Sequence, residues 1–209
     1  MYLKNLFLIL TSIAFVFVVH ACNPPKNKQV AIQIFESFNL QLAKELQTNI
    51  QKNYGFNVII WNPVDLPQQA FVNQKSPRYR ADSLIAYLKR NKPDSIDFVL
   101  GLTTKDISTT KRDWKGSTLK PAYKYEDWGV FGLGYRPGPS CIVSSHRISG
   151  NAQTRLQRLK KITVHELGHN LGLKHCSSSD SCVMRDAAET IKTIDRVSVN
   201  LCTSCQAKI

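Results

Sequence analysis

Residues 165–176 read HELGHNLGLKHC, and the spacing of their histidines decides how the rest of the chain is read. His165 and His169 are four apart; on a helix that offset is about 40° of rotation and about 6 Å of rise, so both imidazoles leave one face. Two imidazoles so placed can grip a single metal ion. Glu166 projects beside them, near enough to reach a metal-bound water without being a third ligand. Gly172 falls where a helix has to end and turn back, a backbone shape glycine adopts without steric cost. His175 follows that turn and can close the site from the far side. Three neutral imidazoles leave one zinc position open to water, the arrangement of a catalytic rather than a structural zinc. Surface histidines on an ordinary helix are the plainer alternative. Against it, three of the four histidines beyond residue 21 lie in this one stretch, and core packing gives no reason for that.

The full spacing, His-Glu-x-x-His-x-x-Gly-x-x-His, is the metzincin signature, and the residues after it narrow the family. Cys176 follows His175 directly, then come Cys182, Met184 and a Cys-x-x-Cys pair at Cys202 and Cys205. This order resembles the archaemetzincins. The seventeen residues between Met184 and Cys202 fit that family's pattern, while the five between Cys176 and Cys182 are one more than its spacing; a Ser/Asp loop absorbs such an insertion. Weaker likeness runs upstream through VLGLTTKDI, WGVFGLGY and CIVSSHRI. The resemblance implies two zinc ions per chain. His165, His169 and His175 would bind the catalytic one, and Cys176, Cys182, Cys202 and Cys205 a structural one. Met184 would form the Met-turn, a polarizable apolar floor beneath the histidines. Four thiolates suit a closed tetrahedral site, which would staple a small C-terminal part, from about residue 173, to the back of the His175 turn. Two disulfides, Cys176–Cys182 and Cys202–Cys205, stay open as the alternative for an exported chain. Cys141, in the apolar run CIVSS, reads as a buried strand thiol.

The N-terminus is the ground for expecting export. Residues 1–21 carry Lys4 ahead of an apolar stretch at 6–19, the layout of a secretory signal and short for a membrane span. Val19-His20-Ala21-Cys22 resembles the bacterial lipoprotein box, with Cys22 as the lipidation site; plain cleavage or retention as an anchor are the other readings. Residues 22–28 read as a tether, and residues 29–209 as one domain with a sizeable core. Loss of Lys4 would lower the net charge of +13 only to +12. So basic a surface suits anionic lipid headgroups or acidic peptides. Residues 105–124 hold six Lys/Arg against two acids and read as a solvated loop. They lack base-stacking patterns, so nucleic acid is not an expected partner. A cell-surface or periplasm-facing lipoprotein, monomeric and acting on peptide or protein, is the expected setting.

The remaining chain alternates strand and helix. Strands are expected at 29–35, 56–61, 96–102, 128–136 and 140–146. Helices are expected at 38–53 (with Leu40, Leu42, Leu46 and Ile50 inward), at about 79–91, and from about Ala152 to Leu171 as the active-site helix. The core side of that last helix would include Leu156, Leu159, Val164, Leu167 and Leu171. Such alternation implies parallel pairing and an α/β (α+β) fold: a single metzincin-like domain with a twisted mixed sheet.

The resemblance further implies a zinc-dependent metallopeptidase in which Glu166 takes the proton of a zinc-bound water and delivers it to the departing amine. Aminopeptidase and narrow-specificity endopeptidase are both open. A catalytically idle zinc protein that binds peptides or partners is the rival, but a carboxylate beside the ligands has no use there. In metzincins the substrate peptide lies extended along an edge strand, and 128–135 is the candidate here, its glycines allowing a second backbone to approach; a purely structural strand is the alternative. Tyr135 and His146 are available to stabilise an oxyanion, though each reads more simply as structural.

Overall fold

The chain is described by a computed structural model over residues 27–185 and 189–209. The expected signal at 1–21, Cys22 and most of the tether lie outside the described residues. In chain order the elements are β1 (Gln29–Phe35), α1 (Leu40–Tyr54), β2 (Asn57–Val64), β3 (Phe71–Asn73), β4 (Pro77–Arg80), α2 (Ala81–Arg90), β5 (Phe98–Thr103), β6 (Ile107–Thr109), α3 (Ala122–Tyr125), β7 (Trp128–Val130), β8 (Gly132–Gly134), β9 (Ser140–Ser144), α4 (Ala152–Asn170), α5 (Ile191–Arg196) and α6 (Thr203–Gln206).

Why β1 lies inside the sheet follows from its composition. The run VAIQIF is buried throughout, as a parallel strand covered on both faces requires. Successive side chains point to opposite faces. Val30, Ile32 and Ile34 pack with Leu46 and Ile50 of α1 and Leu159 of α4; Ala31 and Phe35 pack with Leu84, Ile85 and Leu88 of α2. Around β1 a five-stranded sheet forms in the order β2-β1-β5-β9-β8. Its first four strands are parallel, and β8 runs antiparallel at one edge. The expected α/β architecture with a mixed sheet and a long helix near its C-terminal end is the one observed.

Four local readings differ. The expected strand 128–136 is two strands in two sheets: β7 ends a second sheet, of order β3-β4-β6-β7, whereas β8 closes the first. The switch occurs at Phe131, which enters the core beneath α1 and α4, while its neighbour Val130 packs on the α2 side. A continuous strand would show the same alternation; the change of sheet lies in the pairing, 128–130 with β6 and 132–134 with β9. Residues 105–124 are not plain loop, for they contain β6 and lead into α3. Strands β3 and β4 were not anticipated; with three and four residues they are too short to show a period. Leu40, expected inward, is 53% exposed at the first residue of α1.

Helix α4 starts on Asn151, whose side chain accepts the Thr154 N–H at 2.9 Å, a standard N-cap. At its other end Gly172 takes φ = 92°, a left-handed shape that reverses the chain toward His175. Tyr54, at the end of α1, donates its hydroxyl to the Val164 carbonyl at 2.6 Å and so fixes α4 against α1. The second sheet is braced by charge: the Arg147 guanidinium grips both oxygens of Asp106 at 2.6 and 2.7 Å, and Arg78 reaches the same carboxylate at 3.3 Å.

Candidate active site

The last two turns of α4 carry His165, Glu166 and His169, and the Gly172 turn brings His175 back over them. The metal-binding nitrogens of His165, His169 and His175 lie within 4.8 Å of one another. Two of the rings are oriented by backbone carbonyls. The Nδ1 of His165 lies 2.9 Å from Val183 O and that of His169 lies 2.8 Å from Leu173 O. A carbonyl can only accept, so each Nδ1 carries the proton and each Nε2 lone pair is left for a cation. Burial, with His169 beside it, holds the His165 imidazole down to about 3, and burial lowers His169 as well. Both rings are therefore neutral at pH 7, the form that ligates. This donor set fits zinc.

Glu166 is 5% exposed. Burial pushes its carboxyl up to about 8, against a smaller opposing effect of the Gly134 backbone N–H. Strand β8 crosses directly over it. A Cβ added at Gly132 would fall 2.7 Å from Glu166 Cγ and 2.8 Å from Oε1, and one at Gly134 would fall 2.7 Å from Glu166 O. The glycines of 128–135 thus make room for the active-site helix, and the Arg147 side chain occupies the space beside Gly129. Of the two readings left open for these glycines, room for a substrate backbone and a structural strand, the close packing of Glu166 and Arg147 on them agrees with the second. Among the described residues, β7 and β8 each pair on one side only, and both line a cleft of ≈ 280 Å³ that opens onto the histidines and Glu166.

Besides Trp128 of the expected strand, the cleft contains residues the sequence did not single out: Lys111, Arg136 and Glu189. Lys111 pairs with Glu189 at 2.5 Å and lies over the Trp128 ring at 4.5 Å. Lys111 and Glu189 are 78 positions apart, so no local pattern joins them. Tyr135 and His146 are not among the residues lining the cleft, and both are exposed.

Behind the histidines the sulfur atoms of Cys176, Cys182, Cys202 and Cys205 converge within 4.8 Å. Cys176 Sγ is 3.6 Å from Cys202 Sγ, and Cys182 Sγ is 3.8 Å from Cys205 Sγ. Both distances far exceed a disulfide bond of about 2.05 Å, and all four cysteines are free thiols. The two distances are close to the edge, about 3.8 Å, of a tetrahedron with zinc–sulfur distances of about 2.3 Å. The four thiols therefore fit a closed zinc site. Between the two clusters runs the turn 182–185, closed by the Arg185 N–H on Cys182 O at 2.9 Å. Met184 is fully buried there, its sulfur pressed so close to Gly168 that an added Cβ would stand 2.5 Å from it. The Cys176 N–H donates to Met184 O at 2.6 Å.

A mixed α/β fold with imidazoles converging beside a buried acid in its cleft is that of a zinc metallopeptidase. Comparison with known proteins gives the family. The sequence profile of peptidase family M54 matches residues 30–209. The archaemetzincin of Halobacterium salinarum is 30% identical over 178 residues, covering 80% of this chain and 91% of its own length. Among solved structures, the archaemetzincin of Archaeoglobus fulgidus in complex with malonate superposes with a TM-score of 0.67 at 27% identity, over 87% of this chain and 99% of its own. That of Methanopyrus kandleri gives 0.68 at 25% identity, over 88% and 94%. The chain belongs to the archaemetzincins, peptidase family M54.

Proposed function

We propose that this zinc metallopeptidase is of the metzincin type and works through a proton shuttle at Glu166, with His165, His169 and His175 holding the catalytic zinc and the four cysteines a second, structural one. The observation that carries the reading is the Glu166 carboxyl, buried at the cleft floor within one residue of a ligand histidine. When bound, the catalytic zinc supplies Lewis acidity, lowering the pKa of water toward about 7 and polarising the scissile carbonyl. Glu166 takes the proton from the attacking water and hands it to the departing amine. With no ion beside it, burial raises the Glu166 carboxyl to about 8; the positive charge of a bound zinc would favour the carboxylate and bring it into the range of a base at neutral pH. The unpaired edges of β7 and β8 hold the peptide extended by main-chain hydrogen bonds, and the Lys111–Glu189 pair and Arg136 flank its path.

Replacement Glu166→Gln keeps the zinc and lowers kcat by at least roughly 100-fold; equal turnover by mutant and wild type would refute the role. His165→Ala should instead lose one of two zinc equivalents in metal analysis. A panel of peptides with free and blocked N-termini, read by mass spectrometry, separates aminopeptidase from narrow endopeptidase. From residues 1–22 of the sequence we further propose that the protein acts outside the cytoplasm as a monomer anchored through Cys22, on peptide or protein and not on nucleic acid. Metabolic labelling with a fatty acid, lost in Cys22→Ala, tests the anchor.

A further inference from the structure

Two large apolar side chains stand far out of the described surface: Trp114 is 89% exposed and Tyr123 76%, with Leu40 next at 53%. Both belong to the segment 111–124, which carries Lys111, Arg112, Lys115, Lys120 and Lys124 against Asp113 alone. Trp114 is not loosely displayed. The Asp113 carboxylate accepts the N–H groups of Lys115 and Ser117, each at 2.9 Å. Asp113 O accepts from Gly116 N at 3.0 Å, and Asp113 N donates to Ser117 O at 2.8 Å. The Arg112 guanidinium closes the turn on Gly116 O at 2.9 Å. At the stem, Leu119 N donates to Lys111 O and Lys111 N to Tyr125 O, both at 2.9 Å, which ties the turn to α3 and its Tyr123. Lys115 Nζ lies 4.9 Å from the Trp114 ring centre.

A built turn that projects an indole, with one ammonium group beside the ring and exposed lysines in the same segment, has the chemistry of the membrane interface. There an amphipathic ring settles among headgroups while lysines meet lipid phosphates. We propose that the turn 112–118, together with α3, docks the protein on an anionic lipid bilayer, with Trp114 and Tyr123 entering the headgroup layer and Lys115, Lys120 and Lys124 facing lipid phosphate. The proposed surface lies wholly within the described residues, and the proposal needs no lipid anchor. Because Lys111 at its stem also lines the cleft, docking carries the cleft to the bilayer and favours substrate segments close to it.

The test uses the full chain with vesicles of phosphatidylcholine alone and of phosphatidylcholine with roughly a third phosphatidylglycerol. At about fivefold for each of the three exposed lysines, partitioning should rise roughly 100-fold on the anionic vesicles. Lys115→Glu with Lys120→Glu and Lys124→Glu should remove that preference. Lipids brominated on their chains should quench wild-type tryptophan fluorescence, and Trp114→Phe, which leaves Trp61 and Trp128, should abolish the quenching. The N-terminal segment is common to every variant and cancels between them. Indifference to vesicle charge, or undiminished quenching in Trp114→Phe, overturns the proposal. So does binding to polyglutamate without binding to vesicles, which would make the partner an acidic protein. Glu166→Gln should bind vesicles as wild type does, so failure of the catalytic reading would leave this result standing.

Discussion

Glu166 and His165 are neighbours whose burial acts in opposite directions, and stability can report on each. His165 falls to about 3 and Glu166 rises to about 8. In the metal-free protein the lowered histidine makes stability rise with pH between about 3 and its unfolded value near 6.5, because the unfolded chain binds the extra proton there. The raised carboxyl makes stability fall between about 4.3 and about 8, because the folded chain binds the extra proton there. Above pH 6.5 the Glu166 effect is unopposed by His165. Wild-type stability should therefore drop relative to Glu166→Gln by on the order of 2 kcal/mol between pH 6.5 and 8, as read by urea denaturation after chelation; a parallel course would mean that Glu166 is solvated. At this scale the sequence was highly legible for the histidines and the acid, because their relation is local to one helix. It was silent on the carbonyls that orient the rings. Val183 lies 18 positions from His165, and only the fold brings it there.

At the scale of elements, β8 is the piece that joins scaffold to chemistry. It is three residues long, pairs with β9, and runs across Glu166 with no side chain at Gly132 to hold it away. Gly132→Ala would place a methyl group 2.7 Å from Glu166 Cγ. The strand or the acid must then move, so we expect a stability loss of about 1–3 kcal/mol and a fall in kcat larger than any change in zinc content. Unchanged kcat would show that β8 has slack. The long elements were legible: α4 runs close to the expected Ala152–Leu171 and stops before Gly172, and β1 and β5 follow the mainly apolar runs QVAIQIF and FVLGLT. The change of sheet at Phe131 was not, because WGVFGLGY has the composition of one continuous strand. Which core a residue joins is a property of the layers around it. The second sheet escaped for the same reason, being assembled from strands too short to carry a period.

Over the whole molecule, the C-terminal residues are held by the cysteine cluster and by a small apolar group of Val164, Leu173, Val183, Met184 and Leu201. Cys205→Ser should cost one zinc equivalent and lower the thermal midpoint by roughly 5 °C or more, read by metal analysis beside calorimetry; an unchanged zinc count would return the cysteines to a plain packing role. The family order of cysteines made this cluster legible from sequence, although its pairing across the chain is a product of folding. The two candidate metal sites also share covalent neighbours. His175 adjoins Cys176, and Cys182 adjoins Val183, whose carbonyl orients His165. Filling one site therefore stiffens the backbone of the other. Occupancy should be cooperative, and by reciprocity each ion strengthens its companion's affinity by an equal factor. A chelator titration should then strip both metals in a single steep phase, and Cys205→Ser should loosen the hold on the ion that remains.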